Sequence, residues 1–248
     1  MKKAFLILML CTIAGIFVMS CNSSLSKEVK DDNTHLYGNL EVFKTVNSVS
    51  KKTMLGVKNA ESGTIIISPR ECDSITADKH VIFCHNSKYS VNVYKHNGEE
   101  IGDGFEMFSY WNQNGEYYLG TNYKTNTYYF PSTKEVVKCA PNSSLQIEGQ
   151  YMFLKTPQAW EIRDKDGKFV YKAPHNSYII CMNIDINKSE VSIVIPEKVN
   201  KWKTIYVMRD LDNKEIARFS ERDWMKNQTA ISKKAKFINF NIPEDRKS

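Results

Sequence analysis

The stretch of sequence that decides the fold class is NSKYSVNVYKHNGEEI, residues 86–101. It contains a strand-like run at residues 91–94, then the pair Asn97-Gly98, then the β-branched Ile101. Asn-Gly favours a tight hairpin turn, because both residues tolerate the positive φ that matches the twist of the flanking strands. The stretch therefore predicts a β-hairpin that turns at Asn97-Gly98.

The same turn pattern recurs along the chain. Four further candidate turns share this arrangement: Ser62-Gly63-Thr64, Thr133-Lys134-Glu135, Asp166-Gly167-Lys168 and Asn213-Lys214-Glu215. Counted from the glycine position, the five turns are 35, 35, 34 and 46 residues apart. A β-branched apolar residue stands three positions after each one: Ile66, Ile101, Val136, Val170 and Ile216. This periodicity predicts degenerate repeats that must stack on their neighbours to bury their apolar faces.

A further strand-like run follows each turn by about 17 to 23 residues: 81–83, 117–119, 151–154, 191–195 and 237–240. These runs predict five units of strand, turn, strand, loop and strand over residues 53–242. The longer fourth unit holds an additional hairpin candidate at Asn187-Lys188-Ser189. The pattern is all-β, and only residues 221–226 predict a short turn of helix.

The repeat length bears on how the units are arranged. Typical propeller blades have four strands and about 40–50 residues, slightly more than the period of about 35 residues found here. We favour a propeller-like ring of about five repeats, because closure removes exposed edge strands. An open β-repeat stack and a β-sandwich are the alternatives.

Residues 86–101 also resemble a known repeat. The stretch is similar to the repeat of WG-repeat proteins, which runs approximately N-G-K-W/Y-G-x-x-D-x-x-G-K-E-I, with Tyr89-Ser90 in place of the Trp-Gly pair. The segment IIISPRECDSI, residues 65–75, resembles the continuation V-I-P-P-x-Y-D-x-I of that family. The resemblance covers residues 53–101 best, and it implies a repeat architecture suited to interaction more than to catalysis.

The N-terminus predicts export and lipid anchoring. Lys2 and Lys3 precede an apolar run, residues 4–18, which is shorter than the roughly 20 residues that a membrane-spanning helix needs. The following Val18-Met19-Ser20-Cys21 resembles the lipobox of bacterial lipoproteins. This resemblance implies cleavage before Cys21 and acylation of its thiol, so that membrane lipid becomes a partner of the chain.

The domain organisation follows from this reading. We expect a lipoprotein signal peptide at residues 1–20, a flexible tether at residues 21–37 and a β-repeat domain at residues 38–248. The tether assignment rests on its polar, mixed-charge composition. The expected location is the outer membrane, on its periplasmic face, with the cell surface as the alternative.

The charge balance argues against a nucleic-acid partner. The formal net charge of the whole chain is +6. Loss of Lys2 and Lys3 with the signal peptide would lower it to +4. A surplus of positive charge this small, spread along the chain, is not typical of a nucleic-acid-binding protein.

Four cysteines remain besides Cys11 of the signal and the anchor Cys21: Cys72, Cys84, Cys139 and Cys181. In an exported chain they could form two disulfides, with three connectivities. Cys84 and Cys181 end apolar runs, where a buried free thiol is the alternative. None of the four has the Cys-x-x-Cys or Cys/His spacing of a metal site.

Catalytic motifs are missing from the sequence. The five histidines form no HxH or HExxH pattern, and there is no GxSxG nucleophile elbow. A Ser-His-Asp triad stays open, because its members need not be close in sequence. The sequence therefore favours a protein without catalytic activity, cofactor or metal.

Aromatic residues are the best binding candidates. Tyr110, Trp111, Tyr118 and Tyr128 are predicted to form an exposed face that contacts a glycan or a protein ligand. The alternative is that these side chains only pack the strands together. The expected function is a lipid-anchored binding or scaffold module. Two other functions stay open: a hydrolase acting on glycan or peptidoglycan, and an immunity lipoprotein that neutralises a toxin.

Overall fold

The computed structural model of the protein describes residues 27–28, 34–86, 89–112, 115–141, 145–185 and 188–238. The predicted signal peptide and the predicted acylation site Cys21 lie outside these residues. Part of the predicted tether is described, and it contributes two strands of two residues each.

Twenty-two strands are described, and they group into five sheets that follow one another along the chain. The first sheet contains β1 to β5: Lys27–Glu28, Thr34–His35, Leu40–Val46, Thr53–Asn59 and Ile65–Arg70. The second contains β6 to β9: Ser74–Ala77, Val81–Asn86, Ser90–Lys95 and Glu100–Phe105. The third contains β10 to β13: Met107–Trp111, Tyr117–Thr121, Asn126–Phe130 and Glu135–Cys139.

The last two sheets complete the series. The fourth contains β14 to β17: Gln146–Glu148, Tyr151–Lys155, Trp160–Asp164 and Phe169–Ala173. The fifth contains β18 to β22: Tyr178–Asp185, Lys188–Asn200, Lys203–Arg209, Glu215–Ser220 and Lys236–Phe237.

Each sheet contains an antiparallel meander of four strands that are consecutive in the chain, and in the first and fifth sheets these are β2 to β5 and β18 to β21. The second, third and fourth sheets have the strand orders β6-β7-β8-β9, β10-β11-β12-β13 and β14-β15-β16-β17. The first has the order β1-β3-β4-β5, with β2 also beside β3, and the fifth has β21-β20-β19-β18-β22. The all-β prediction is confirmed, and none of the five sheets closes on itself within the described residues.

All five predicted turns are hairpin turns, and each joins the third and fourth strands of a meander. Every one contains a residue with positive φ: Gly63 at 70°, Gly98 at 86°, Lys134 at 58°, Gly167 at 81° and Asn213 at 64°. In the third sheet the positive φ falls on Lys134, one residue after the glycine position of the repeat. β18 pairs with β19, as the additional predicted hairpin requires, and residues 186–187 between them, with the predicted turn residue Asn187, lie outside the described residues.

The predicted grouping of strands into units is wrong. The prediction places residues 81–83, 117–119, 151–154 and 191–195 at the ends of units, but they lie in β7, β11, β15 and β19, the second strands of the following sheets. The hairpin turns give the period of the repeat correctly. The sequence of a turn does not show, however, which further strand pairs with the hairpin that it closes. The last run does not start a new sheet, because β22 returns to pair with β18.

A helix, α1, spans Glu221–Ile231 and is longer than the short turn that was predicted. The Ser220 side chain caps it by accepting a hydrogen bond from the backbone N–H of Asp223. Trp224 on α1 packs with Tyr178, Tyr206 and other apolar residues of the fifth sheet. In the part of the chain that the structure describes, no helix has the length and apolar character needed to span a membrane.

The chain divides into two units, Met1–Glu100 and Ile101–Ser248, and each has its own core. In the first unit, apolar residues of β3 to β5 pack against residues of β6 to β8, and Val57 and Ile82 lie at the centre. In the second unit, the fourth sheet packs between the third and the fifth. Met152 and Leu154 face the third sheet, whereas Phe153 and Ile162 face the fifth.

Candidate functional site

The predicted aromatic surface is divided by the fold. Tyr110 and Trp111 lie on β10, an edge strand of the third sheet, and are 40% and 47% exposed. Tyr118 and Tyr128 lie on the central strands β11 and β12 and are each 2% exposed. The prediction of an exposed face is therefore wrong for Tyr118 and Tyr128.

The burial of these two tyrosines has a simple cause. Neighbouring residues of a strand point to opposite faces, so a pair of adjacent aromatics exposes one ring only if one face of the sheet is open. Tyr128 packs with Phe130 and Met152 between the third and fourth sheets. Burial raises the pKa of Tyr128 to about 12. Tyr118 lies on the opposite face, with its ring centroid 5.4 Å from that of Phe108.

Tyr110 and Trp111 form what we call the β10 edge surface. The Tyr110 hydroxyl donates a hydrogen bond of 2.6 Å to Oε1 of Glu116, and the Tyr110 ring lies 5.0 Å from the ring of Tyr118. The Trp111 ring stacks on Tyr117 at 6.4 Å, with an angle of 9° between their planes. Each exposed ring thus packs against a buried ring of β11. These contacts fix the orientation of the Tyr110 and Trp111 rings, which lie on opposite faces of the sheet.

The four cysteines are free thiols, and the structure brings two of them together. The Cys84 thiol on β7 donates a hydrogen bond to the sulfur of Cys72, in the connection between β5 and β6. This hydrogen bond lowers the pKa of Cys72 and raises that of Cys84, because it stabilises a negative charge on the acceptor sulfur. Cys139 and Cys181 are buried, and desolvation raises the pKa of both.

Cys72 lines a polar cavity of about 440 Å³. The residues that line this cavity are Lys52, Thr53, Glu71, Cys72, Asp73 and Asn86. Lys52 and Glu71 form an ion pair of 2.8 Å at its rim. The sequence alone does not predict this cavity. The run Glu71-Cys72-Asp73 directly after a strand was the available signal, but its partners come from other parts of the chain.

A second cavity, of about 330 Å³, lies between the C-terminal part of α1 and the fifth sheet. Its lining is mainly apolar: Ile180, Met182, Met208, Ala230, Ile231 and Ala235. Glu190 and Lys234 add charged groups to the wall. Ile180, Met208 and Ile231 also belong to the cluster around Trp224, so the cavity adjoins the packing between α1 and the sheet.

The described residues contain no group of three or more His, Cys, Asp or Glu side chains that is arranged to hold a metal ion. The sequence Asp164-Lys165-Asp166-Gly167 resembles the start of a calcium loop, but Oδ1 of Asp164 accepts hydrogen bonds from the backbone N–H groups of Asp166 and Lys168. This carboxylate thus stabilises the hairpin turn.

In comparisons with known proteins, no protein-family model and no curated protein matches the chain.

Proposed function

We propose that this protein is a bacterial lipoprotein, held at the outer membrane by an acylated Cys21, which acts as a binding or scaffold module without catalytic activity. The observation that supports a binding role best is the β10 edge surface, where the successive residues Tyr110 and Trp111 are both exposed. Exposed, pre-positioned aromatic rings offer a large contact area at a small entropic cost.

The β10 edge surface favours a ligand of extended shape. Tyr110 and Trp111 are successive residues and point to opposite faces, so a ligand must lie along the strand edge to touch both rings. Glu116 lies beside Tyr110 and supplies a carboxylate that can accept hydrogen bonds from hydroxyl or amide groups. A glycan chain or an extended peptide meets these requirements.

The arrangement of the sheets also belongs to this proposal. We interpret the five meanders as degenerate repeats of the WG-repeat kind. In the second unit, α1 covers the face of the fifth sheet that points away from the fourth. Terminal caps of this kind are typical of open repeat stacks. For this unit the covered face supports the open stack over a propeller-like ring.

The anchoring proposal is tested by Cys21→Ala in the producing bacterium. We expect the wild-type chain to incorporate radiolabelled palmitate and to fractionate with the outer membrane. The variant should lose the label and should be released from the membrane fraction by a high-salt wash, because it lacks the acyl chains that contribute about 0.8 kcal/mol per buried CH₂. Membrane association of unlabelled Cys21→Ala that resists the high-salt wash would show that residues 4–18 are an uncleaved anchor.

The binding proposal is tested by placing a benzophenone amino acid at position 111 in living cells. Benzophenone inserts into C–H bonds of proteins and sugars alike, so it detects both classes of ligand. We expect an adduct of higher mass at position 111, and no such adduct at position 123, where Tyr123 is exposed in a hairpin connection. Identical adducts from both positions, or none from position 111, would contradict a ligand at the β10 edge surface.

A further inference from the structure

The hairpin formed by β19 and β20 extends beyond the rest of the fifth sheet. β19 has 13 residues, but its pairing with β18 ends at Val194. From Ile195 to Asn200 it pairs with β20 alone, and β21 begins its pairing with β20 only at Ile205. Residues 198–203 therefore form a projecting tip, which we call the ribbon tip.

The composition of the ribbon tip is basic and apolar. Its sequence is Lys-Val-Asn-Lys-Trp-Lys, and all six residues are exposed. Trp202 is 87% exposed and Val199 is 54% exposed, so neither contributes to the core. The Lys201 Nζ lies 5.3 Å from the centre of the Trp202 ring. The nearest carboxylate on the ribbon, that of Glu197, forms an ion pair with Arg209.

A tip of this kind matches the chemistry of an anionic lipid surface. Tryptophan is enriched at membrane–water interfaces, where its apolar ring and its N–H group both find suitable surroundings. Lysines next to an anionic bilayer are attracted by its negative surface potential. The three lysines of the tip place positive charge around the one large apolar side chain, so the two effects act at the same point.

The size of the ribbon tip argues for a bilayer over a protein partner. A stable protein interface involves about 20–30 residues on each side, whereas the projecting tip has six. A bilayer needs no shape complementarity, and each lysine near an anionic surface contributes about 1 kcal/mol to the attraction. We infer that the ribbon tip docks onto the headgroup region of a membrane that contains anionic phospholipid.

This contact is separate from the proposed acyl anchor, and the test keeps them apart. The chain used is residues 21–248 with Cys21→Ser, which carries no acyl group. It is mixed with vesicles of phosphatidylcholine alone, or of phosphatidylcholine with phosphatidylglycerol, and binding is measured by sedimentation. We expect binding to the anionic vesicles only, with weakening as salt is added, and a blue shift of tryptophan fluorescence that Trp202→Ala removes.

The control variants come from the hairpin of the fourth sheet, where Lys168 and Phe169 are exposed. Lys201→Glu and Lys168→Glu change the net charge equally. Removing one lysine from the membrane contact weakens binding roughly fivefold, and charge reversal weakens it further. We therefore expect at least that loss for Lys201→Glu and little change for Lys168→Glu. Trp202→Ala should also weaken binding, whereas Phe169→Ala should not.

Three outcomes would overturn the inference. The first is that the protein with the wild-type ribbon tip does not bind anionic vesicles. The second is that it binds neutral vesicles as well as anionic ones. The third is that Lys168→Glu weakens binding as much as Lys201→Glu, which would mean that net charge alone is responsible. Circular dichroism of each variant checks folding, and we expect no change because all four substituted side chains are exposed.

Discussion

At the residue scale, the same backbone conformation occurs in two different surroundings. Gly63 and Gly98 both have a positive φ in the last hairpin turn of their sheets. A Cβ atom added to Gly63 would meet nothing within 4 Å, whereas one added to Gly98 would lie 2.2 Å from the carbonyl oxygen of Ile66. Both positions favour glycine for its conformation, but only Gly98 is also required for the approach of a neighbouring strand.

Comparison of Gly63→Ala with Gly98→Ala separates these two effects. Gly63→Ala should lower the free energy of unfolding by about 1 kcal/mol, since a non-glycine residue is strained in this conformation. Gly98→Ala should cost at least about 1 kcal/mol more, because the backbone near Ile66 has to move. Urea unfolding measures both values. Equal losses would show that the turn at Gly98 does not pack against β5.

The cysteine pair gives a prediction for pH dependence. The thiolate is the reactive form, and the hydrogen bond from Cys84 lowers the pKa of Cys72, so Cys72 reacts from a lower pH than an ordinary thiol. Cys84→Ala removes the donor and should move the midpoint of Cys72 alkylation by iodoacetamide to higher pH. Cys84→Ser keeps a hydroxyl donor and is the matched control. A midpoint that stays the same in Cys84→Ala would mean that the two thiols are not in contact.

A disulfide stays a prediction for this chain. If one forms during export, the contact between Cys72 and Cys84 makes them the pair that oxidation would join. The two thiols would lose two protons and two electrons to the disulfide of an external oxidoreductase. Cys139 and Cys181 are both buried, and no cysteine thiol is among the groups that shift the pKa of either one.

At the scale of single elements, α1 is the departure from an otherwise regular series of meanders. It presents Trp224 to the fifth sheet, where the ring lies between 5.2 and 5.9 Å from those of Tyr178, Tyr206 and Phe219. Most other residues of the helix are polar, Trp224 is its one buried residue, and Ile231 is partly buried against the same cluster. Its attachment therefore depends mainly on this one side chain, because a short, polar helix has little stability of its own.

Trp224→Ala should thus be strongly destabilising. Loss of a fully buried tryptophan costs about 3–5 kcal/mol of unfolding free energy, through lost burial and the cavity that remains. Trp202→Ala is the same substitution at the exposed ribbon tip and should change stability by less than about 0.5 kcal/mol. Chemical denaturation monitored by circular dichroism gives both numbers. A small effect of Trp224→Ala would indicate that α1 is not packed on the sheet.

At the scale of the whole molecule, burial is uneven within the second unit. The consecutive residues Met152, Phe153 and Leu154 of β15 are all buried, because the fourth sheet has a neighbour on each face. The ribbon tip has pairing between two strands only, and all its side chains are exposed. Local opening should therefore be rare at β15 and frequent at the ribbon tip.

Hydrogen exchange followed by mass spectrometry tests this difference. We expect amides of β15 to exchange only through unfolding of the unit, and amides of residues 198–203 to exchange fastest among the strands of the fifth sheet. β12 is a useful internal control, since its residues Thr127 to Phe130 are also buried in succession and should be protected like β15. Similar rates at β15 and the ribbon tip would contradict the stacking of the third, fourth and fifth sheets.

The sequence by itself determined the all-β class and the position of all five hairpin turns. It could do so because a tight turn depends on the φ and ψ preferences of two or three adjacent residues, such as Asn97-Gly98 and Asp166-Gly167. The period of the repeat followed from the spacing of these turns. The helix was predicted too short, because the side chain that holds it, Trp224, gains its stability from residues distant in sequence.

Only the tertiary structure decided which strands share a sheet and which aromatic side chains reach solvent. Strand alternation places Tyr117 and Tyr118 on opposite faces, but it cannot say whether a second layer covers each face. Here both faces of the central strands are covered, so Tyr118 and Tyr128 are buried while Tyr110 and Trp111 at the edge are not. Burial depends on which sheets stack on each other, and that contact joins residues far apart in the chain.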